Sequence, residues 1–310
     1  MAQSKQEIQS LLAAGATEPR HRFGQNFMID QNLVRLIADA GEITPDDLVI
    51  EVGPGTGTLT EELLTRGARV LAVEIDRHLA RILRDRFGGI ERFALIEGDA
   101  LAGKHALNPE LMAQLRAPPS ACHPARSEAQ STDLGPGGAA GHMNARRAKL
   151  IANLPYNIAS PLVIELLIAG VELLVFTVQK EVADRIRAAA GAEAYGPLSV
   201  MVQLIARVEM LRTLPPQAFW PPPKIESALV RLTRDDRLGN AAKPFSRFVH
   251  QLFAARRKTL RKALSQIIDD PATLLASLGI DGQLRPEVLA PEHFLRLHRS
   301  ITARPIEGRS

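Results

Sequence analysis

With 310 residues, of which 45% are hydrophobic and 23% charged, the chain is long enough for one large domain and a smaller one around a well-buried core. No apolar run approaches the roughly 18 residues of a membrane helix, and the stretch from Met1 to Glu18 is polar, so no membrane association and a cytoplasmic location are expected. The single cysteine, Cys122, excludes an internal disulfide framework and a multi-thiolate metal site, while a net charge of +4 permits a polyanionic partner without demanding one.

Residues 1–20 read as a flexible N-terminal tail. Beyond them short β-rich runs alternate with helical patterns, which predicts a parallel sheet flanked by helices. The first strand covers residues 47–53 and runs into the loop Gly53-Pro54-Gly55-Thr56-Gly57, followed by Leu59, Leu63 and Leu64 at helical spacing. Residues 69–76 form the second strand, Leu79, Ile82 and Leu83 mark the next helix, and residues 93–99 form the third strand. From about 103 to 147 the chain is rich in Ala, Pro, Gly and Ser without a sustained apolar period, which predicts a disordered surface insertion. His105, Cys122, His123 and His142 lie in or beside it at spacings that match no metal-ligand pattern, so no metal is expected. The fourth strand ends at Asn153. Residues 173–178 form a fifth, and a helix follows around 182–190. Residues 199–214 and 227–233 read as two long strands pairing as an edge hairpin, joined by the proline-rich stretch 215–223. After Arg234 the pattern is wholly helical. The expectation is an α/β, Rossmann-like domain over 21–235 and a small all-helical C-terminal domain over 236–310.

The glycine loop fails two common tests. A dinucleotide fingerprint needs a glycine where Thr58 stands, and a phosphate-binding loop needs a lysine after Gly57. What remains is a strand, Glu51, and a loop whose backbone at Gly53 and Gly55 can pass close to a ligand. Glu74 ends the next strand, where a carboxylate can accept both hydroxyls of a ribose, and Asp99 ends the third, where one can accept from an adenine amine. The ligand inferred is an adenosine without pyrophosphate, and S-adenosylmethionine fits it. A plain tight turn is the simpler alternative for the loop taken alone.

Asn153-Leu154-Pro155-Tyr156 carries the chemistry. An amide, exposable carbonyls, a rigid proline and an aromatic face in sequence can grip the exocyclic amine of a nucleobase; an ordinary Asn-Pro turn is the competing interpretation. Asn153 and the Leu154 carbonyl can accept both N–H bonds, Pro155 sets the turn, and Tyr156 can stack on the base. In the C-terminal segment Val249, Phe253, Leu260, Leu264 and Ile267 fall on one face of a single helix. Arg257, Lys258, Arg261 and Lys262 then form a basic stripe suited to RNA, and Arg256 falls inside the apolar face, where it is expected to be partly buried and ion-paired.

Seven segments together carry a family resemblance. They begin at His21 (HRFGQNFM), Glu51 (EVGPGTG), Asn153 (NLPYNI), Gln179 (QKEV), Tyr195 (YGPLSV), Phe219 (FWPPPKIES) and Arg256 (RRKTLR). In this order the chain resembles the small-subunit ribosomal RNA adenine N6-dimethyltransferases, from Arg20 to about Leu297 apart from the insertion. The resemblance implies S-adenosylmethionine held by Asn26, Met28, Gly53, Glu74, Asp99 and Asn153, and a second stacking residue at Phe219. Met28 replaces the usual leucine and Ala159 a common hydroxyl residue. It further implies two adjacent adenines in the 3′-terminal hairpin loop of 16S ribosomal RNA as target, within an immature small subunit. A monomer is expected, since no exposed apolar repeat suggests self-association. Large-subunit RNA relatives typically read Ser-Gln-Asn-Phe and Asn-Ile-Pro-Tyr where this chain has Gly24-Gln25-Asn26-Phe27 and Asn153-Leu154-Pro155-Tyr156. A DNA adenine methyltransferase and a non-catalytic assembly or transcription factor on the same fold stay as alternatives.

Overall fold

The computed structural model describes residues 3–20, 24–45, 47–103, 106–117 and 147–303. The first half of the chain runs α1 (Lys5–Ala14), β1 (Phe27–Met28), α2 (Gln31–Ala40), β2 (Leu48–Val52), α3 (Thr58–Thr65), β3 (Arg69–Glu74), α4 (Arg77–Phe87) and β4 (Phe93–Glu97). A small hairpin of β5 (Leu101–Gly103) and β6 (Ala106–Leu107) leads to α5 (Pro109–Arg116). Then come β7 (Ala148–Asn153), α6 (Ala159–Ile168), β8 (Leu173–Gln179), α7 (Lys180–Arg187), α8 (Pro197–Ile205), β9 (Ala206–Leu214), β10 (Phe219–Trp220) and β11 (Ser227–Arg234). Four helices close the chain: α9 (Ala242–Ala254), α10 (Leu260–Leu264), α11 (Pro271–Ser277) and α12 (Pro291–Thr302).

A seven-stranded sheet in the order β4-β3-β2-β7-β8-β11-β9 organises these elements. The first five strands are parallel, and β11 and β9 add the expected antiparallel pair at one edge. Val49, Ile50, Leu71, Leu150, Ile151 and Val175 are all buried because helices cover both faces, which is why these strands read as continuous apolar runs. One face packs against α2 and α3 with the β1–β10 pair, through Leu33, Ile37, Leu59 and Leu63. The other packs α6 and α8, and the same apolar cluster continues into α9, α10 and α12 through Phe245, Val249, Leu260 and Phe294. Strand order reverses between β2 and β7, so a crevice opens beyond their carboxyl ends.

Four expectations are corrected. Residues 3–20 are not a flexible tail: α1 is closed by a capping box between Ser4 and Glu7 and buries Ile8 and Leu12. Residues 197–205 are a helix rather than part of a strand. Pro197 starts it, the Ser199 hydroxyl accepts from the Gly196 N–H, and its apolar side chains are buried all round, which hides a helical period. Within the expected insertion, residues 106–117 form β6 and α5, with Asn108 capping the helix; residues 104–105 and 118–146, with His105, Cys122, His123 and His142, lie outside the described residues. The single helix expected over 249–267 is two, broken at 255–259, where Thr259 caps α10. Arg256 therefore sits exposed in the turn instead of within an apolar face.

Candidate active site

Gly53, Gly55, Glu74, Asp99 and Asn153 all line one cavity at the carboxyl ends of β2, β3, β4 and β7, and Asn26 and Met28 close its side from β1. These residues, scattered over more than a hundred positions, meet because parallel strands deliver their ends to one edge. Pro155 lines the cavity as well, beside Gly53: a Cβ on Gly53 would come 3.0 Å from the Pro155 ring, so the glycine loop and the tetrad interlock. The missing side chains at Gly53 and Gly55 therefore make room first for the protein's own rings, since a Cβ on Gly55 would meet Phe27 at 2.9 Å. Both glycines also have positive φ, 71° and 63°, which side chains disfavour.

The polar groups of the crevice are held by one another. Glu74 accepts from the backbone N–H of Gly55 at 3.3 Å and of Asp76 at 2.9 Å. Burial disfavours its charge and lifts its pKa to about 7 against those two N–H bonds. Glu51, just beneath, accepts from the Thr60 hydroxyl at 2.6 Å, and burial together with the Glu74 charge raises it to about 8. Asp99 is exposed, with one oxygen accepting from Leu101 N at 2.9 Å. Asn153 is fixed at both ends of its amide: Nδ2 donates to the Asn26 carbonyl at 2.7 Å, and Oδ1 accepts from the Thr177 hydroxyl. Thr177 is its register partner on β8 and fully buried. Because the Asn26 carbonyl can only accept, this contact assigns which end of the amide is which, and Oδ1 keeps a second lone pair.

Tyr156 is half-buried, with its hydroxyl 2.8 Å from Ser227 Oγ; burial raises its pKa, so the ring is tethered as a neutral phenol. Leu154 is buried and donates its N–H to Thr177 O at 3.3 Å. Phe219 is not on the crevice surface: it is 1% exposed, pairs with Met28 across β1 and β10, and belongs to the core beneath them. The proline-rich segment reads as a loop, but β10 turns it into a strand that drives this ring inward. Arg257 and Lys258 lie exposed in the turn after α9, and Arg261 and Lys262 lie exposed on α10. Sequence reasoning did not single out Thr177, nor Ile75, which lines the cavity while 44% exposed and suits the flat face of a base. Ile75 carried a readable signal as an apolar residue directly after the strand-end Glu74; Thr177, inside an apolar strand, carried none.

Sheet order, crevice and helix placement define a Rossmann-like methyltransferase. The chain belongs to the ribosomal RNA adenine dimethylase family, whose model matches residues 16–303. It is 40% identical to the ribosomal RNA small subunit methyltransferase A of Hahella chejuensis, over 94% of this chain and 96% of that protein. It is 38% identical to the protein of the same name from a Synechococcus strain, with the same coverage. Among solved structures it is similar to the 23S rRNA methyltransferase ErmE, at 25% identity and a TM-score of 0.58, covering 89% of this chain and all of that one. A dimethyladenosine transferase from Plasmodium falciparum, 23% identical with a TM-score of 0.65 over 89% of this chain and 97% of that one, shares the fold. Among the described residues no helix is long and apolar enough to cross a membrane.

Proposed function

We propose that the protein transfers methyl groups from S-adenosylmethionine to N6 of two adjacent adenines in the 3′-terminal hairpin loop of 16S ribosomal RNA, within immature small subunits in the cytoplasm, acting as a monomer. The observation that carries the reading is the convergence of Glu74, Asp99 and Gly53 on the same cavity as Asn153 and Pro155, which sets a nucleoside site directly beside an amine clamp. Small-subunit enzymes at 38–40% identity favour this target over large-subunit RNA.

The donor set fits S-adenosylmethionine: the Glu74 carboxylate for ribose hydroxyls, Asp99 for the adenine amine, Ile75 for a ring face and the loop backbone for the amino-acid end. When bound, it supplies a sulfonium methyl electrophilic enough that the protein's task is to present a nitrogen in line with it. The free lone pair of Asn153 Oδ1 and the Leu154 carbonyl accept the two N–H bonds of the target amine. This turns the N6 lone pair away from the ring and stabilises the positive charge that grows on nitrogen. Tyr156, tethered by Ser227, offers a ring face to the base, a contact worth ~1–3 kcal/mol. The methylated nitrogen releases its proton to water, so no general base is needed. An adenine inside a stack cannot reach this clamp, so the target lies in a loop or is flipped out. Arg257, Lys258, Arg261 and Lys262 then hold the RNA backbone, within a helical C-terminal unit after residue 235.

Incubation with labelled S-adenosylmethionine and, separately, immature small subunits, large-subunit RNA or DNA, followed by mapping of the modified base, tests the proposal. Label on adjacent adenines of small-subunit RNA is expected. Label confined to large-subunit RNA or DNA overturns it, and no label on any substrate favours a binding-only role.

A further inference from the structure

The N-terminal segment is fastened to the glycine loop by hydrogen bonds from Gln3. Gln3, 4% exposed, donates through Nε2 to the Thr56 carbonyl at 3.2 Å, while its Oε1 accepts from the Thr56 hydroxyl at 2.6 Å and the Thr58 hydroxyl at 2.9 Å. One side chain thus makes three hydrogen bonds to a loop more than fifty residues away. Arg86 donates to the same Thr56 carbonyl. Immediately after Gln3, α1 is pinned through Ile8 and Leu12 against Phe27, Leu79 and Ile82, and Phe27 is the ring packed on Gly55. The segment closes at its far end, where the Gly15 carbonyl meets His78 Nδ1 at 3.2 Å and Arg20 pairs with Asp76 at 3.3 Å, beside Glu74.

We propose that residues 3–20 form a clasp on the glycine loop and that Gln3 is a positioning residue that sets the affinity of the crevice for S-adenosylmethionine. The inference rests on the reading of this crevice as a site for that ligand. A loop containing Gly53, Gly55 and Gly57 samples many conformations when untethered, and fixing it on binding costs conformational entropy. Gln3 satisfies the polar groups of Thr56 and Thr58 and holds the loop in one shape beforehand, so less is lost when ligand enters. Thr56 and Thr58 line the cavity, so they transmit the constraint directly. Linkage makes the effect reciprocal: ligand binding must hold the clasp shut by the same factor.

Gln3→Met keeps size and apolar packing while removing all three hydrogen bonds, and Gln3→Asn keeps polarity but cannot span the gap. Both are expected to raise the S-adenosylmethionine dissociation constant and KM about fivefold to tenfold, as for loss of one or two net hydrogen bonds, with kcat at saturating ligand unchanged. In the unmodified chain, amide exchange across α1 should slow on adding S-adenosylmethionine by a similar factor, a readout that needs no variant. Variants with unchanged affinity and only a lowered melting temperature make Gln3 merely structural and overturn the inference, as does α1 exchange indifferent to ligand. Failure of the unmodified chain to bind S-adenosylmethionine overturns instead the reading of the crevice.

Discussion

On the proposed function, the crevice at the strand ends and the basic turn after α9 solve recognition in opposite ways. In the crevice Glu51, Glu74 and Asn153 are withdrawn from solvent or tied to a neighbour before any ligand arrives. In the turn Arg256, Arg257 and Lys258 stand exposed between two helices anchored by Phe253 and Leu260. The contrast follows from the task. Aligning a methyl with a nitrogen tolerates little error, so the groups must be preorganised. Neutralising a phosphate backbone needs only charge at roughly the right distance, and flexible cations lose little by remaining solvated.

If that contrast is right, damage should be steepest where the structure is stiffest. Asn153→Ala removes the acceptor for the target amine, and the rate of methyl transfer should fall by roughly 10²–10³-fold, the scale of losing one preorganised catalytic hydrogen-bonding group. Measurement of single-turnover methylation of immature small subunits checks this, and a loss below tenfold breaks the assignment.

Glu74→Gln should weaken S-adenosylmethionine binding by about tenfold or more, because the carboxylate's charge-assisted bonds to the ribose are removed. The same change should stabilise the cofactor-free chain. In the folded state burial raises Glu74 from 4.5 to about 7 and Glu51 to about 8, so the folded state holds these protons more tightly than the unfolded one. Their contribution to stability is complete below pH 4.5 and is lost as pH rises through about 7 and 8. Thermal melts should show the Glu74→Gln chain matching the parent near pH 4.5, gaining on it as pH rises to about 7 and keeping that advantage at higher pH. Because ribose hydroxyls favour the ionised carboxylate, ligand affinity should also fall as pH drops below about 7, with proton release on binding measurable by calorimetry in two buffers.

On the opposite side, combined Arg257→Ala and Lys258→Ala should weaken RNA binding and leave ligand affinity intact. The slope of log affinity against log salt should flatten by about 0.7 for each phosphate that is no longer neutralised. Equal slopes for parent and variant across a salt titration remove the turn from the RNA footprint. The smallest effect is expected at Thr177→Val, which frees one end of the Asn153 amide: kcat should fall about threefold to tenfold, with Thr177→Ser close to the parent. An unchanged kcat in the valine variant makes the Thr177 hydroxyl dispensable.

The parallel strands were legible because burial on both faces writes them as apolar runs ending in Gly53, Glu74 and Asn153. That Gly53, Glu74, Asp99 and Asn153 line one cavity was legible because strand ends in such a sheet share one edge. What escaped lies where tertiary packing overrides local pattern. α1 shows only Ile8 and Leu12 as buried apolar positions, too few for a period, and is held by packing against Phe27, Leu79 and Ile82, which local sequence does not reveal. α8 is buried on every side, so its apolar residues fill both helical and strand templates. The periodicity of 249–267 carries across a break, since Val249, Phe253, Leu260 and Leu264 all do face the core, but from two helices. Phe219 went inward because two short strands pair where a loop was expected.

On the proposed function, the clamp at Asn153 and Leu154 presents an adenine amine twice over. Immature small subunits methylated by the unmodified protein, digested to nucleosides and analysed by mass spectrometry, test it most directly. N6,N6-dimethyladenosine is expected at two neighbouring positions near the 3′ end of the RNA, absent with the Asn153→Ala protein. Methylation at carbon, at a ribose hydroxyl or at a different base would contradict it.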